Sequence, residues 1–377
     1  LNPVPALPGY SSRQGRYWVE EITGSIAAAP RVRIESVEGG ISLEGAAQEQ
    51  ISYRIQKRVS ADSEESARRI FGEFPLRVWR RAGQVTLSVE SERGHGLAAN
   101  YVVTVPKKTA RADLETRAGG ITARDMDGFV RAQTAAGGIQ VDRLGEAELE
   151  TAGGGIEMGA VAGRVRAETA GGGIRLVSAG GDAQVATQGG GIDLGRVTGS
   201  VRAETGAGGI RIGSVSGDVT AETAGGSIEI GEANQVRADS AGGSIRVDHA
   251  RSLVTAETAA GSIRLSKCAG PVRAETAFGS IIAYIEAAQV AWRESLLETA
   301  SGDITVYIPK DLAVTIRAAI EMATGRHQIT SDFPLSIRSS EGPGPREIVG
   351  EGSISGGGAP LRLRTVSGNI QIRSQKR

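Results

Sequence analysis

Ten isoleucines recur behind a glycine-rich word at intervals of 17 or 18 residues: Ile121, Ile139, Ile156, Ile174, Ile192, Ile210, Ile228, Ile245, Ile263 and Ile281. A fixed period near 20 marks stacked repeats, each too small to bury a face alone. The word "AETAGGGIRL" at Ala167 to Leu176 returns as "AETAGGSIEI" from Ala221, "AETAAGSIRL" from Ala256 and "AETAFGSIIA" from Ala274. Within a copy the apolar letters alternate. "VRAET" (Val201 to Thr205) sets Val, Ala and Thr on one side and Arg and Glu on the other, and "IRI" (Ile210 to Ile212) does the same. Alternation with period two means strand, and glycines this dense exclude helix. Each copy is therefore expected to be one coil of an all-β, parallel β-solenoid: a strand, a Gly-rich corner, a second strand, then a turn such as "SVSGD".

The other recurring positions fit a stack. Five residues after each marker stand Leu144, Val161, Ala179, Val197, Val215, Ala233, Ala250 and Cys268, an inward column that predicts a short third side. Five residues before each marker stand Thr116, Thr134, Thr151, Thr169, Thr187, Thr205, Thr223, Ser240, Thr258 and Thr276. A catalytic threonine would be unique, whereas ten are a ladder, with methyls packed inward and hydroxyls bonded along the column. Beside it runs a carboxylate column of Glu115, Glu150, Glu168, Glu204, Glu222, Asp239, Glu257 and Glu275, interrupted by Gln133 and Ala186. Like charges one rung apart repel, so compensation is needed. Arg131, Arg166, Arg202, Arg237 and Arg273 supply it from two residues upstream, and Glu157, Arg175, Asp193, Arg211, Glu229 and Arg246 alternate in sign just after the markers. These pairs predict register control, because a one-coil slip sets like against like. Calcium on the carboxylate column is the sharper reading, but "GGGID" at Gly189 to Asp193 has the wrong spacing for the calcium-binding nonapeptide.

The flanks differ. Two degenerate copies end at Ile26 and Ile41, which starts the solenoid or a lead-in to it near the N-terminus. In "ADSEESARRIFGEF", Asp62 with Glu65 resembles a capping box, and Ala67, Ile70, Phe71 and Phe74 share a helical face before Pro75. That amphipathic helix, near 62–74, is expected to cover an edge or end. Strands are expected at Leu76 to Trp79, Gln84 to Glu90 and Asn100 to Val105. After Ile281 the spacing lengthens to 23, reaching Ile304, with an insertion near Trp292; a Gly/Pro loop follows at Glu341 to Pro345. The expected division is lead-in strands and helix over 1–109, one elongated regular solenoid over about 110–310, and an irregular β segment continuing it over 311–377.

At these words the chain resembles the bacterial putative-adhesin domain family. The resemblance rests on "YVVTVPKKTARADLETRAGGI" (Tyr101 to Ile121), the Thr-Gly-Gly-Ile coils, "VYIPKD" (Val306 to Asp311) and "GGGAPLRLRTVSGNIQI" (Gly356 to Ile372), and spans nearly the whole chain. It implies a β-solenoid with an adhesin label, and offers no catalytic motif to carry over.

Composition narrows the function classes. The 43 basic and 43 acidic residues cancel, leaving no net field for nucleic acid or anionic lipid. No apolar run is long enough to span a membrane as a helix. The lone Cys268 excludes an internal disulfide framework. The chain opens on Leu1 rather than Met, which predicts a removed leader, a signal peptide being one candidate. His95, His249 and His327 are isolated in sequence, and no helix can follow "GAGGIRIG" to make a phosphate loop. No catalytic, cofactor-binding or metal-binding residue is therefore assigned. The expectation is a non-enzymatic, extracytoplasmic, adhesin-like scaffold that binds a surface or assembles end to end into a homo-oligomer or fibre. Its expected partner is a glycan or a cell-envelope component. The alternative is a carbohydrate-binding or carbohydrate-active β-helix of the cell envelope. The assembly expectation rests on the C-terminus: "TVSGNIQIRSQKR" ends on a coil-like word with only a basic tail to blunt it.

Overall fold

The computed structural model describes residues 10–89, 96–286, 293–323, 327–340 and 346–375. Its described residues form 34 strands and one helix. The chain divides into two compact units, Leu1–Thr187 and Gln188–Arg377. In each, parallel β-strands stack coil on coil, as the repeat predicts, with antiparallel strands added at one end. No helix interrupts residues 121–285.

One coil of the second unit explains the rest. The marker strand Ile192–Val197 buries Ile192, Leu194 and Val197; after a turn, Val201–Thr205 buries Val201, Ala203 and Thr205. In the next rungs Ile210 lies beside Ile228 and Ile228 beside Ile245, while Val201, Ala203 and Thr205 lie beside Val219, Ala221 and Thr223. Two parallel sheets thus enclose a thin core of Ile, Leu and Val facing Val, Ala and Thr. The column at Val197 is buried as expected, but it ends the marker strand and forms no separate third strand. Two residues separate it from Leu194, and that kink turns its side chain inward. Cys268 belongs to this column; burial is complete and pushes its thiol up to about 12.

The threonine column is buried, but its hydroxyls do not bond to one another. Thr205 Oγ1 donates to the carbonyl of Gly190, 2.7 Å away in the previous corner, and accepts from Gly208 N–H at 3.2 Å. Thr151, Thr169, Thr223 and Ser240 repeat both bonds. The hydroxyl is a staple between successive corners, satisfying backbone groups that no strand ladder reaches.

The corners need glycine because backbone approaches backbone. A Cβ on Gly226 would stand 2.1 Å from the oxygen of Gly208, and the same clash recurs at Gly243 and Gly261. One residue earlier, a Cβ on Gly225 would meet the oxygen of Ala207 at 3.2 Å. Gly226→Ala is therefore expected to destabilise the fold by about 1–3 kcal/mol, and Gly225→Ala by roughly 0.5 kcal/mol or less. Urea denaturation of the two variants checks this; coincident midpoints would place the tight contact elsewhere.

Both ends depart from chain order. In the first unit, Arg31–Glu38 and Ile41–Ala46 form a coil that is not outermost. Ile41 pairs with Ile121 on one side and Tyr101 on the other, and Val32 with Ala112 and Val85. Strands 84–89 and 98–106 therefore lie outside it, although they come later in the chain. Gln50–Ser60 then runs antiparallel along 98–106, Tyr17–Ala27 antiparallel along that strand, and Tyr10–Gln14 forms the edge. Ile41 is a true marker, whereas Ile26 faces Ile51 in an antiparallel pair and is not one. The helix runs Glu64–Glu73, capped by Ser63, whose side chain accepts from Ser66 N–H, rather than by Asp62. It buries Ala67 and Phe71. The buried Lys57 ties down its last turn: Nζ donates to the carbonyls of Phe71 and Phe74 and pairs with Glu20.

The second unit repeats this arrangement in reverse. Ala359–Ser367 lies between Ser295–Ser301 and Val314–Ala323, and Ile370–Ser374 between Ile304–Ile308 and Ile329–Ser331. The C-terminal coil is therefore an inner rung, which corrects the expectation of an open edge there. Arg346–Ile354 runs antiparallel along 314–323, and Ser336–Ser339 antiparallel along that strand. The outermost strands at this end, 336–339 and 329–331, are short, which blunts them as templates. Asp332 fixes the last strand by accepting from Ser374 N–H at 2.9 Å and Arg373 Nη1 at 3.1 Å, and these donors hold its carboxyl below the usual range. The expected features at Trp292, Glu341 to Pro345, Glu90 and the Lys376–Arg377 tail lie outside the described residues.

Candidate functional site

The carboxylate column comes together as the spacing predicts. In the second unit Glu204, Glu222, Asp239, Glu257, Glu275 and Glu298 stand side by side on successive rungs, with Arg364 beside Glu298. Arginines two residues upstream offset the repulsion: Arg202 pairs with Glu204 and Glu222, and Arg273 with Glu257 at 4.0 Å and Glu275 at 2.6 Å. The sign alternation after the markers gives Arg211–Glu229 at 3.1 Å and ends at Arg246 beside Arg264. These exposed pairs are worth little singly, so their role is register.

Four of these carboxylates border an open groove of about 510 Å³. Asp239, Glu257, Glu275 and Glu298 are its charged lining, and Ala241, Ala259, Ala277, Ala300 and Val366 line it as an apolar row. The Thr and Ser column between them is turned into the core. Phe278, next to Ala277 at the corner, is 66% exposed. Side-by-side carboxylates on one wall do not make the acid and base of a glycosidase, which must flank the scissile bond. Among the described residues no group of three or more His, Cys, Asp and Glu is arranged to hold a metal ion.

The stack also assembles a constellation that sequence separation hides. Ser214, Glu232 and His249 occupy one column on three successive rungs. Their order is wrong for nucleophilic catalysis, because the carboxylate stands between serine and histidine, so no imidazole can take the serine proton. Glu232 is held below the usual carboxylate range chiefly by the Arg251 guanidinium, 2.6 Å away, while His249 Nδ1 lies at 3.7 Å. His95 lies outside the described residues. His327 is joined to other groups near the C-terminal end.

Solved structures that resemble the chain include two named for adhesion. One is a putative adhesin from Bacteroides fragilis, 13% identical, covering 61% of this chain and 95% of its own, with a TM-score of 0.33. The other is a putative cell adhesion protein from Clostridium sporogenes, 9% identical, covering 94% of this chain and 99% of its own, with a TM-score of 0.19. The adhesin label implied by the repeat words thus recurs among the structural neighbours. Likenesses this distant carry no argument about what this chain binds. The sequence matches no family model and no curated protein. Among the described residues no helix is long and apolar enough to cross a membrane.

Proposed function

We propose that the chain is a non-catalytic, extracytoplasmic, adhesin-like scaffold that binds a repeating ligand along the groove of its second unit. The observation behind this reading is the row of Asp239, Glu257, Glu275 and Glu298 above an alanine floor. Parallel strands repeat about every 4.8 Å, so the row offers evenly spaced carboxylates to a ligand whose donors also repeat. Among the described residues Asp239 stands outside any ion pair, and Glu257, Glu275 and Glu298 keep oxygens that Arg273 and Arg364 share only in part. A glycan bearing hydroxyls or amines has that character. An open wall of like groups favours recognition over chemistry, which needs unlike groups converging on one atom.

The test is titration of a panel of neutral, amine-bearing and acidic polysaccharides against the wild type and an Asp239→Asn/Glu257→Gln variant. Amine-bearing chains are expected to bind best, and the variant at least tenfold more weakly, as about 1.4 kcal/mol of lost charge-assisted bonding implies. A chelator is expected to leave both binding and melting temperature unchanged. Equal binding by wild type and variant would refute the groove assignment, and release of new reducing ends from a bound glycan would favour a carbohydrate-active protein instead. Self-assembly through the C-terminal coil is not part of this reading, because that coil is paired on both sides.

A further inference from the structure

The outermost hairpin of the first unit holds cations that nothing in the groove reading uses. Tyr10–Gln14 and Tyr17–Ala27 join through a two-residue turn, Gly15–Arg16, with Gly15 at φ +63°. Among the described residues the strand 10–14 pairs on one side only, and residues 12–16 are exposed. Around the turn sit two aromatic rings and three guanidiniums. Arg58 lies 4.5 Å from the centre of the Tyr17 ring and Arg16 lies 4.9 Å from it, with Arg16 Nη2 donating to Tyr17 Oη. Arg13 lies 5.9 Å from the Trp18 ring and donates to the carbonyl of Gly15. Trp18 Nε1 donates to the carbonyl of Ala61, which fixes the indole.

No ion pair holds Arg13, Arg16 or Arg58 among the described residues. The carboxylates of the same strand are committed elsewhere: Glu20 to Lys57, and Glu21 to Arg54 at 3.6 Å and Gln56 at 3.0 Å. Arg16 and Arg58 on the Tyr17 face and Arg13 on the Trp18 face thus leave positive charge uncompensated on both faces of the hairpin, in a protein of zero net charge. Stacking on the rings holds the guanidinium planes while leaving N–H edges for an incoming anion.

We infer that this hairpin docks on an anionic lipid surface, its guanidiniums taking headgroup phosphates. Guanidinium edges match phosphate oxygens in pairs. Tyr and Trp, apolar in body and polar at the tip, are the side chains that settle at a membrane–water boundary. Because guanidiniums lie over the Tyr17 ring, a sugar has little ring face left to stack on, which argues against a neutral glycan here. The hairpin shares no residue with the groove, so the inference goes beyond that reading and outlives its failure.

The test is co-sedimentation of the full chain with vesicles of phosphatidylcholine containing phosphatidylglycerol, and with phosphatidylcholine alone. Binding is expected only to the mixed vesicles, and salt is expected to weaken it. Arg13→Gln, Arg16→Gln and Arg58→Gln are each expected to weaken it about fivefold, and the triple variant about a hundredfold. The Asp239→Asn/Glu257→Gln variant is expected to bind vesicles like the wild type. A melting curve accompanies the triple variant; should it unfold, Arg13→Gln alone decides, since its guanidinium bonds only to its own turn. Absent binding, equal binding to phosphatidylcholine alone, or undiminished binding by the arginine variants would each overturn the inference. So would soluble polyphosphate held as tightly as the vesicles.

Discussion

A chain ending at Ser355 is expected to lose ordered structure from residue 314 onward, not merely the rung removed. The deleted segment carries Leu361, Leu363, Ile370 and Ile372, all 0–1% exposed. Burying four such side chains contributes on the order of 6–12 kcal/mol, as large as the whole stability of an ordinary domain. The loss also separates strands 314–323 and 329–331 from the stack, because each meets it only through the missing coil. Hydrogen exchange reads the difference directly. Amides of Val314 to Ile320 are expected to lose protection, while those of Ile263 to Cys268 keep it. If 314–320 stayed protected, the C-terminal coil would not be an inner rung.

Ile210→Asp is expected to be far more damaging than Thr205→Val. Ile210 is 1% exposed in the marker column, between Ile192 on one side and Ile228 on the other. A carboxylate there has no partner and must either stay charged in an apolar interior or take up a proton at a cost of several kcal/mol. Thr205→Val keeps the inward methyl and the volume, but strands the carbonyl of Gly190 and the N–H of Gly208. Leaving such groups unsatisfied costs about 1–3 kcal/mol. Thermal denaturation is therefore expected to show a lower but cooperative transition for the valine variant, and no cooperative transition for the aspartate variant. The opposite ranking would mean that the threonine column, not the isoleucine column, bears the core.

The regular coils were legible because one period writes both their spacing and their faces. Every threonine, isoleucine and carboxylate column could be placed by counting 17 or 18 residues, and the register pairs fall where the counting puts them. The same arithmetic would have found Ser214, Glu232 and His249, which are separated by 18 and 17 residues; reading histidines for near neighbours missed it. The helix was visible in its apolar face, but both Asp62 and Ser63 suit a cap, and only backbone direction chooses Ser63. The hydroxyl partners were not legible, because a threonine column looks the same whether it bonds to itself or to the corner behind it. Chain order at the ends was hidden for a stronger reason. Any coil-like word can sit next to any other, so "TVSGNIQI" fits an inner rung as well as a last one.

The interleaved C-terminal coil has a mechanical consequence. A load applied at Gln375 pulls Ile370–Ser374 lengthwise between two parallel neighbours, 304–308 and 329–331. Such a strand yields in shear, with the bonds on both its sides strained at once. A last strand lying free on an edge would peel, one bond after another. By setting this coil one place in from the end of the stack, the fold exchanges the zipper for the rivet.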